Sequence, residues 1–488
     1  MPARTGAQYL EGLRAHPRDV WLGGRRLEDV TAHPAFRRPI ARLARLYDLQ
    51  HDPAHAGTLT CVDETGDRTG TAFLIPRTYD DLVARHRAFR VWAEDTFGLM
   101  GRSPDFLNCT LAAFADAADV FARGGQRYAD HIRRYYEYVR AHDLLLTHAL
   151  IPPQNDRSRT SGDQQAPFLH MGIVRETSDG PVLRGARMLA TLGPIADEVL
   201  VYSLPGLRPG EEAHAIVFAL PIDTPGLRQI CRPPYDRGDL DPAEHPLASH
   251  FEECDSLIVF DDVLVPWERV FLYRDVDLCN ALYPDSNLRQ YTGHQTAVRG
   301  LVKLEFAVGV LMQIAQAVKT DVHLHVQDLL GECVNDIEIV KSCIARSEFE
   351  YETTPRGTVR PAFEPLITLR TWLPRVYPRI IEILQIVGAG GLLMVPSAAD
   401  FDSPIAEDVR KYYQGAAAPA LARTRLYKLA WDLAGDAFGM RQLQYERYYN
   451  GDPVRTTAGH YQSYDKSTCL DLAQRALQLF DAPAVTGD

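Results

Sequence analysis

Residues 92–106 read WAEDTFGLMGRSPDF, and the interpretation of the whole chain starts from this stretch. Arg102 follows a glycine, and Ser103 with Pro104 predicts a turn that begins a helix. Phe106 then places an aromatic ring within about one turn of the arginine. The stretch predicts a fixed cation and a ring at one helix entrance, which suits an aromatic, anionic ligand. An ordinary helix N-terminus, with serine as cap and proline in the first turn, explains the same residues.

The composition is that of a globular protein and argues against several classes. Of 488 residues, 52 are basic and 64 acidic, and this formal charge of -12 disfavours a nucleic-acid or anionic-membrane surface. The most apolar run, residues 306–318, is interrupted by two glutamines and is shorter than the roughly 20 residues of a membrane span. Neither a secretory signal nor a CxxC pair among the eight cysteines is found, so we expect a cytoplasmic protein with reduced thiols.

Hydrophobic periodicity divides the chain into three predicted domains. Residues 1–150 have mainly helical spacing, and residues 151–280 contain short β-branched segments, at 172–174, 199–202, 215–218 and 257–260, bounded by Gly, Pro and Asp. Residues 281–488 return to helical spacing, with broad apolar faces that include one at 426–438 and predict a bundle. The fold class is therefore predicted as α+β: an N-terminal helical domain, a middle antiparallel β domain or barrel, and a C-terminal helical bundle.

Several local patterns have plain structural interpretations. His148 is expected near a helix C-terminus, because two prolines at 152–153 must stop a helix. The GAGG sequence at 388–391 follows a helical pattern and has Leu393 where a third glycine would be needed, so it predicts a helix-terminating turn instead of a dinucleotide site. Residues 351–365 predict a loop or hairpin between helices. The histidine pairs at 51/55 and 323/325 lack a third ligand, and no metal site is predicted.

Segment 100–106, MGRSPDF, resembles the MGR-[ST]-PD-[YF] segment of the oxygenase component of the 4-hydroxyphenylacetate 3-hydroxylase family. Further segments resemble the same family in matching order: DVTAHPAF at 29–36, THA at 147–149, GAR at 185–187 followed by AT at 190–191, FDDVLVPWE at 260–268, YRD at 273–275, LAWD at 429–432 and FGMR at 438–441. This colinearity from about residue 9 to about residue 480 implies an acyl-CoA-dehydrogenase-like fold and a homotetramer, a dimer of dimers.

The resemblance implies a reduced-FAD-dependent monooxygenase supplied by a separate NAD(P)H-dependent flavin reductase. Such an enzyme uses molecular oxygen, through a flavin C4a-hydroperoxide, to hydroxylate a phenolic ring ortho to its hydroxyl. A free phenol has a pKa of about 10, so the site must hold it as phenolate. By resemblance, Arg102 stabilises the phenolate and His148 accepts or shares the proton. Phe106 stands where many members have tyrosine, which removes one hydroxyl from the inferred contacts.

The resemblance also assigns binding residues. The substrate, a tyrosine-like or 4-hydroxyphenyl compound that is free or tethered to a carrier protein, is expected to contact Arg102, Phe106, His148, Ser203, Leu204 and Pro205. The last three begin a Gly- and Pro-containing loop, at 203–210, that varies with substrate size in the family. FAD is expected to contact His148, Asn155, Asp156, Arg157, Ser158, Thr191, Asn450, Gly451 and Asp452.

Three alternatives stay open. A CoA-ester lyase or isomerase of the 4-hydroxybutyryl-CoA dehydratase branch shares the fold but needs an iron-sulfur cluster. Around Phe106 this chain offers only Cys109 as a cluster ligand, and Leu301 stands where another cysteine would be required. The other two alternatives are a hydroxylase of a non-phenolic aromatic ring, such as an indole, and a non-enzymatic flavin-binding protein in which Phe106 marks a decayed site.

Overall fold

A computed structural model describes residues 3–63, 66–449 and 451–480. The first part is mainly helical, and its elements are α1 (Gly6–Ala15), β1 (Asp19–Leu22), β2 (Arg25–Arg26), α2 (Pro34–Leu49), α3 (Ala56–Leu59), β3 (Thr60–Val62), β4 (Arg68–Gly70), α4 (Tyr79–Asp95), α5 (Pro104–Asp116), α6 (Ala118–Ala122), α7 (Gln126–His142) and β5 (Leu146–His148). The central strands are β6 (Gly172–Glu176), β7 (Pro181–Ala190), β8 (Glu198–Val201), β9 (Ile216–Pro221), β10 (Leu227–Cys231), β11 (Ser256–Leu264) and β12 (Val270–Tyr273).

Helices return in the last part of the chain, where one hairpin of short strands interrupts them. The elements are α8 (Val276–Asp285), α9 (Leu288–Ala317), α10 (Leu324–Phe349), β13 (Glu352–Thr353), β14 (Val359–Arg360), α11 (Phe363–Gly388), α12 (Ala406–Tyr412), α13 (Ala420–Ala434), α14 (Ala437–Tyr448), α15 (Pro453–Ser463) and α16 (Ser467–Leu477). The predicted hairpin at 351–365 is thus confirmed. No helix in the described ranges is long and apolar enough to cross a membrane.

Two open sheets form the β region, and the predicted α+β class is confirmed. One sheet has the order β2-β1-β10-β11-β7-β6 and the other has the order β12-β9-β8-β5. Neither sheet closes into a barrel, which the sequence analysis gave as one form of the β domain. Neighbouring strands are antiparallel except in the pairs β1–β10 and β5–β8, which are parallel. Strands β1, β2 and β5 come from the first 150 residues, so the sheets draw on more of the chain than the middle segment; the domain boundaries stay a prediction.

The long helix α9 lies at the centre of the C-terminal bundle. It packs against α11, α10, α13 and also against α4 and α5 from the N-terminal part. Apolar residues such as Val298, Leu301 and Leu311 are buried along it, as the periodicity predicts. A helix covered on several sides provides a rigid base for polar residues that it holds in the interior. Arg299 and Lys303 are two such residues, each 1% exposed.

The apolar pattern at residues 426–438 belongs to two helices instead of one face of a single helix. α13 ends at Ala434, and the chain then restarts at Asp436. The Asp436 carboxylate accepts hydrogen bonds from the backbone N–H groups of Phe438 and Gly439, so it is the N-cap of α14. This restart sets the direction of α14, which delivers residues to the site described below.

The expected position of His148 near a helix C-terminus is wrong. α7 already ends at His142, because Asp143 adopts a left-handed conformation with φ of 47°. The chain then enters β5, where His148 pairs with Leu200 of the parallel strand β8. Since this pairing joins segments about fifty residues apart, the prolines at 152–153 gave no information about it. His148 is therefore held by a sheet edge.

The GAGG segment ends a helix, which confirms the prediction of a turn. α11 stops at Gly388, and a short 3-10 turn follows. A Cβ atom at Gly391 would lie 2.6 Å from the ring of Tyr427, so the backbone approaches α13 too closely for a side chain. The glycines serve helix packing at this place.

Candidate active site

Arg102 lies immediately before α5 and organises the candidate site. Its guanidinium carbon is 4.1 Å from the centroid of the Phe106 ring, a cation–π contact. Its Nε–H donates to Nε2 of His148 at 3.2 Å, and Nη1 donates to the Gly101 carbonyl at 2.8 Å and to the hydroxyl of Tyr445. The cation and ring expected at this helix entrance are therefore adjacent in space, with His148 as a third member.

The turn before α5 differs in detail from an ordinary cap. Ser103 occupies the N-cap position and Pro104 the first turn, as predicted. The Ser103 hydroxyl, however, donates to Oδ1 of Asp105 at 2.6 Å and does not accept from the helix backbone. The other Asp105 oxygen accepts from the Gln295 side chain of α9 at 2.9 Å. These bonds attach the turn to the central helix and fix the direction of Arg102.

Arg102 is a buried cation whose guanidinium forms hydrogen bonds only with neutral groups among the described residues. It is 8% exposed, and within the described ranges no carboxylate forms an ion pair with it. Arg299 and Arg441, by contrast, are each paired with a buried carboxylate. Burial of a charge without a counter-charge is unfavourable by several kcal/mol, and a bound anion would offset this cost. The site is thus electrostatically prepared for an anionic group.

His148 is neutral in this environment. Burial lowers its pKa well below the usual value, and the charge of Arg102 lowers it further. Since Nε2 accepts from Arg102, the single proton of the neutral ring must be on Nδ1. Nδ1 is buried and finds no hydrogen-bond partner among the described residues. The site therefore contains an unused donor that faces away from the arginine.

Tyr445 of α14 is a site residue that the sequence analysis missed. Burial raises the pKa of its hydroxyl, so it remains a neutral phenol that accepts a hydrogen bond from Arg102. A Cβ atom at Gly101 would lie 1.9 Å from this hydroxyl, so only glycine fits there. The glycine at position 101 is the one sequence feature that this contact explains, but the sequence could not identify Tyr445, which lies 343 residues after Arg102.

A second set of charged residues fixes the segment that contains Gly101 and Arg102. One oxygen of Glu253 accepts from the backbone N–H groups of Gly101 and Arg102, at 2.7 and 3.2 Å, and the other is paired with Arg441. Arg441 also donates to Asp255 at 2.8 Å. Burial opposes ionisation of Asp255, but Arg441 and then Arg232 bring its pKa down to about 2. The Arg102 backbone is thus fixed by a carboxylate that is itself paired with Arg441.

Apart from His148, the residues assigned to FAD by resemblance lie in two loops and at the buried Thr191. The Thr191 carbonyl accepts from the hydroxyl of Thr147, next to His148, and its own hydroxyl donates to Asp255, both at 2.8 Å. Thr191 therefore lies at the candidate site, but its hydroxyl is already engaged as a donor.

The loop at 155–158 presents free donors at the surface. Asp156 folds the loop by accepting from the backbone N–H and hydroxyl of Ser158, at 3.0 and 2.6 Å, which lowers its pKa. The side chains of Asn155 and Arg157 are exposed and have no hydrogen-bond partner among the described residues. An amide and a guanidinium in this position can bind phosphate oxygens.

The third flavin segment lies after α14. Asn450 lies outside the described residues. Gly451 has φ of 99°, which favours glycine, and Asp452 accepts from the Arg455 backbone as the N-cap of α15. The predicted turn is present, and the Asp452 carboxylate is used in capping.

The loop assigned to the substrate begins beside the site. Tyr202 precedes it, and its ring centroid is 6.3 Å from that of His148. Ser203 is buried and accepts a hydrogen bond from Arg187 at 3.3 Å, while Leu204 and Pro205 are half-buried. The next two backbone N–H groups donate to the Asn280 side chain, at 2.9 and 3.1 Å. The loop is therefore tied to α8 at its centre.

Cys109, Leu301 and one histidine–carboxylate cluster bear on metal binding, and each has packing or hydrogen-bond partners in the fold. Cys109 is buried, burial raises its pKa to about 12, and Leu301 is a core residue of α9. His86 and His294 both bond to Oε1 of Glu348, at 2.6 and 2.7 Å, a cluster that was not recognised in the sequence. Histidine-to-carboxylate hydrogen bonds account for these distances.

Helices flank two open sheets here, and a buried arginine lies beside a neutral histidine; the solved structures that share this architecture include flavin-dependent aromatic monooxygenases with the acyl-CoA-dehydrogenase-like fold. Residues 5–272 match the description "4-hydroxyphenylacetate 3-hydroxylase N terminal", and residues 279–478 match "4-hydroxyphenylacetate 3-hydroxylase C terminal". The chain belongs to the 4-hydroxyphenylacetate 3-hydroxylase family and is an enzyme.

Similar proteins extend over the whole chain. The oxygenase component of 4-hydroxyphenylacetate 3-monooxygenase from Thermus thermophilus is 44% identical over 95% of both chains. A Streptomyces globisporus monooxygenase, named for a 3-amino-3-(3-chloro-4-hydroxyphenyl)propanoyl group on the peptidyl-carrier protein SgcC2, is 35% identical over 98% of this chain and 91% of its own. A crystal structure of an oxygenase component (HpaB) complexed with FAD and 4-hydroxyphenylacetate superimposes with a TM-score of 0.93, at 42% identity over 98% of this chain and all of that chain.

Proposed function

We propose that this chain is the oxygenase component of a two-component monooxygenase, which inserts one oxygen atom from O₂ into a phenolic ring ortho to its hydroxyl. The product is a catechol. The observation that carries the proposal is the buried Arg102, which has no carboxylate partner in the described chain and is hydrogen-bonded to a neutral His148. The Thermus and Streptomyces relatives are both named for compounds that contain a 4-hydroxyphenyl group, which supports a phenolic substrate.

Arg102 stabilises the substrate as phenolate. A charge-assisted hydrogen bond from a buried guanidinium contributes about 1.5–3 kcal/mol, which lowers the pKa of a phenol by about one to two units. The phenolate supplies the counter-charge that the described neighbours of Arg102 do not provide. Electron density then increases at the ring carbon ortho to the oxygen, where substitution by an electrophilic oxygen occurs.

His148 receives the phenol proton in this proposal. Its Nε2 lone pair is occupied by Arg102 before substrate binds. When the Arg102 N–H turns to the phenolate oxygen, Nε2 becomes free to accept the proton, and the new negative charge opposes the effect of burial on the histidine pKa. Tyr445, bonded to the same guanidinium, keeps Arg102 oriented during this exchange.

Reduced FAD, when bound, supplies the activated oxygen atom that the ring receives. The residues of this chain fit the cofactor: the buried Nδ1–H of His148 is an unused donor for a ring carbonyl, and Asn155 with Arg157 offers exposed donors for the pyrophosphate. Gly451, with φ of 99°, presents a backbone without a side chain after α14. A separate flavin reductase provides the reduced cofactor.

Phe106 places an apolar ring without a hydroxyl beside the arginine that receives the phenol. It presents an apolar ring to Arg102, and the hydroxyl of Tyr445 lies on the same guanidinium. The loop at Ser203, Leu204 and Pro205 starts beside His148 and leads to half-buried positions. A ring that carries an extended side chain, as a free acid or on a carrier, can therefore place its phenol at Arg102 and its tail along this loop.

Self-association to a tetramer is part of the proposal. Helices α15 and α16 have no buried residue in the isolated chain, although Val454, Tyr461, Leu470 and Leu477 are apolar and at least 56% exposed. Such a surface is unfavourable in water and suits coverage by a second copy. Analytical ultracentrifugation that shows a monomer at micromolar concentration would contradict it.

Isotope labelling tests the reaction. The protein is loaded anaerobically with reduced FAD and mixed with ¹⁸O₂ and 4-hydroxyphenylacetate or a carrier-bound 4-hydroxyphenyl group. We expect a catechol with one ¹⁸O atom, and less hydrogen peroxide as phenol is added. If all oxygen becomes peroxide whatever phenol is present, the proposal fails. A neutral indole hydroxylated in preference to every phenol would favour the non-phenolic alternative.

A further inference from the structure

The hydroxyl of Tyr445 accepts a hydrogen bond from Arg102, but it donates none to any residue in the described ranges. Its ring stacks on Tyr449, with centroids 5.2 Å apart and planes inclined by 11°, so the position of the ring is fixed. A tyrosine hydroxyl has one hydrogen to donate, and this hydrogen can rotate about the C–O bond. Tyr445 therefore has a donor available for a ligand beside the buried arginine.

Arg102 leaves one of its nitrogens without a hydrogen bond to the described residues. Nε donates to His148, and Nη1 donates to the Gly101 carbonyl and to Tyr445, so Nη2 is the nitrogen left over. The guanidinium is planar and its N–H groups have fixed directions. Because the three nitrogens share one carbon, Nη2 is next to both the nitrogen that meets His148 and the nitrogen that meets Tyr445. An oxyanion bound at Nη2 is thus flanked by the imidazole and by the tyrosine hydroxyl.

The other aromatic ring at this guanidinium cannot provide a hydroxyl donor. Phe106 lies with its centroid 4.1 Å from the guanidinium carbon of Arg102, and its side chain has no polar atom. Of the described side chains that stack on this guanidinium or bond to it, Tyr445 is the one with a hydroxyl. A hydroxyl donor for a ligand at Arg102 therefore comes from α14.

The surroundings of Tyr445 keep its hydroxyl protonated. Burial raises the pKa of this hydroxyl, whereas the charges of Arg102 and Arg299 act in the opposite direction. When a second phenol shares the Arg102 guanidinium, the negative charge therefore goes to that phenol, and Tyr445 keeps its hydrogen. The guanidinium carbons of Arg299 and Arg441 lie 5.6 and 5.4 Å from the ring centroid, and such nearby cations favour a hydroxyl that donates to an anion.

We propose that Tyr445 is a further substrate-binding residue, whose hydroxyl donates a hydrogen bond to the phenolate oxygen while it accepts one from Arg102. This inference rests on the proposed function, which places a phenol at Arg102. The phenolate then meets a guanidinium and a neutral hydroxyl, and both hydrogen bonds strengthen as charge develops on the oxygen. The bond that Tyr445 accepts polarises its O–H group and strengthens the bond that it donates.

The ionisation of a bound phenol tests this donor. 3-Fluoro-4-hydroxyphenylacetate is bound to protein loaded with oxidised FAD, so no turnover occurs, and its ¹⁹F chemical shift is followed against pH. For Tyr445→Phe we expect the ionisation constant of the bound phenol to fall about tenfold, a rise of about one pKa unit, because the phenolate loses a donor. Tyr448→Phe, at a residue of the same helix that is 52% exposed, is the control and should leave this pKa unchanged.

A fluorinated tyrosine separates donation to the phenolate from support of Arg102. Tyr445→3-fluorotyrosine has a more acidic hydroxyl, which is a better donor and a poorer acceptor, and it keeps the ring that stacks on Tyr449. Donation to the phenolate predicts that the pKa of the bound phenol falls. A residue that only orients Arg102 by accepting from it predicts a rise or no change, and either result overturns the proposal. The same replacement at Tyr448 is the control.

The flavin is a competing acceptor for this hydroxyl and is separated by a titration without phenol. If Tyr445→Phe weakens FAD binding about tenfold and leaves the pKa of the bound phenol unchanged, the hydroxyl belongs to the cofactor site and the proposal is wrong. If this inference alone fails, the unaltered chain and Tyr445→Phe lower the phenol pKa equally. If the proposed function fails, the unaltered chain does not lower that pKa at all, and no phenol is hydroxylated.

Discussion

The Nε–H of Arg102 donates to Nε2 of His148 at 3.2 Å, so a permanent cation fixes which nitrogen of the imidazole carries the proton. A histidine in contact with an arginine and removed from water cannot be a resting acid. It is a neutral ring, and in the proposed reaction it takes up a proton only when the phenolate forms beside Arg102. The predictions below concern this pair and the residues that support it.

Removal of the Arg102 charge should abolish most hydroxylation. For Arg102→Gln we expect catechol formation to fall by about 10²- to 10³-fold, because the phenolate loses its charge-assisted donor. Reduced FAD should still react with O₂, so peroxide per flavin should rise. Product and peroxide are measured in the same quench. Arg184→Gln, at an exposed arginine, is the control; equal activity in the two variants would contradict the role.

His148 should make the protein sensitive to mild acid. Its folded pKa is depressed by burial, so below about pH 6.5 the unfolded chain takes up a proton that the folded chain refuses. Stability from this group is complete above that pH and declines as pH falls, by at most about 1.4 kcal/mol per pH unit. The free energy of unfolding in urea at pH 7.5 and 5.5 should therefore differ less in His148→Gln than in the unaltered chain. An identical difference would contradict the assignment of a neutral histidine.

Gly101→Ala should damage the site through Tyr445. The new methyl group would lie 1.9 Å from the tyrosine hydroxyl, so α14 or the Arg102 turn must move. We expect a loss of about 1–3 kcal/mol in unfolding free energy and a large loss of coupling between flavin oxidation and product. Gly331→Ala, in α10 with open space around it, is the control and should be neutral or stabilising. Equal melting temperatures for the two variants would refute the close approach.

The buried cluster beneath Tyr445 should depend on a single carboxylate. Glu446 accepts from Arg299 at 2.7 Å and from Lys303 at 2.8 Å. Burial opposes ionisation of Glu446, but the two cations bring its pKa to about 2, and burial lowers the pKa of Lys303 to about 8. Glu446→Gln leaves both cations without their counter-charge and should cost about 3–5 kcal/mol by chemical denaturation.

A surface pair provides the comparison for Glu446. Glu350 pairs with Arg346 at 2.9 Å, with both side chains about half exposed. Glu350→Gln should cost less than about 1 kcal/mol, because water already solvates both groups. Similar effects of the two substitutions would mean that the cluster under Tyr445 is hydrated, and the prediction would fail.

Much of the fold could be predicted from local patterns together with resemblance. The periodicity located the strands at 172–174, 199–202, 215–218 and 257–260, which correspond to β6, β8, β9 and β11. It failed where a single residue redirects the chain. Asp143 ends α7 through a left-handed conformation, and Asp436 restarts a helix after a break, and neither event changes the hydrophobic pattern around it.

The sequence analysis identified those site residues that lie in the segments resembling the family. The adjacency of Arg102, Phe106 and His148 is now given as distances, whereas their catalytic roles and the flavin contacts stay predictions. Tyr445, Glu253 and Arg441 were missed as parts of the site because their importance arises from contacts across more than 150 residues. Sequence spacing carries no record of such contacts.

The position of α14 has a consequence for biosynthesis. Arg441 and Tyr445, which fasten and orient Arg102, lie more than 290 residues after His148 in the chain. Arg102 and His148 are therefore synthesised before the helix that supports them, and they lack this support until α14 has left the ribosome. A chain terminated before α14 would retain the segment that identifies the family and would lack the residues that complete its site.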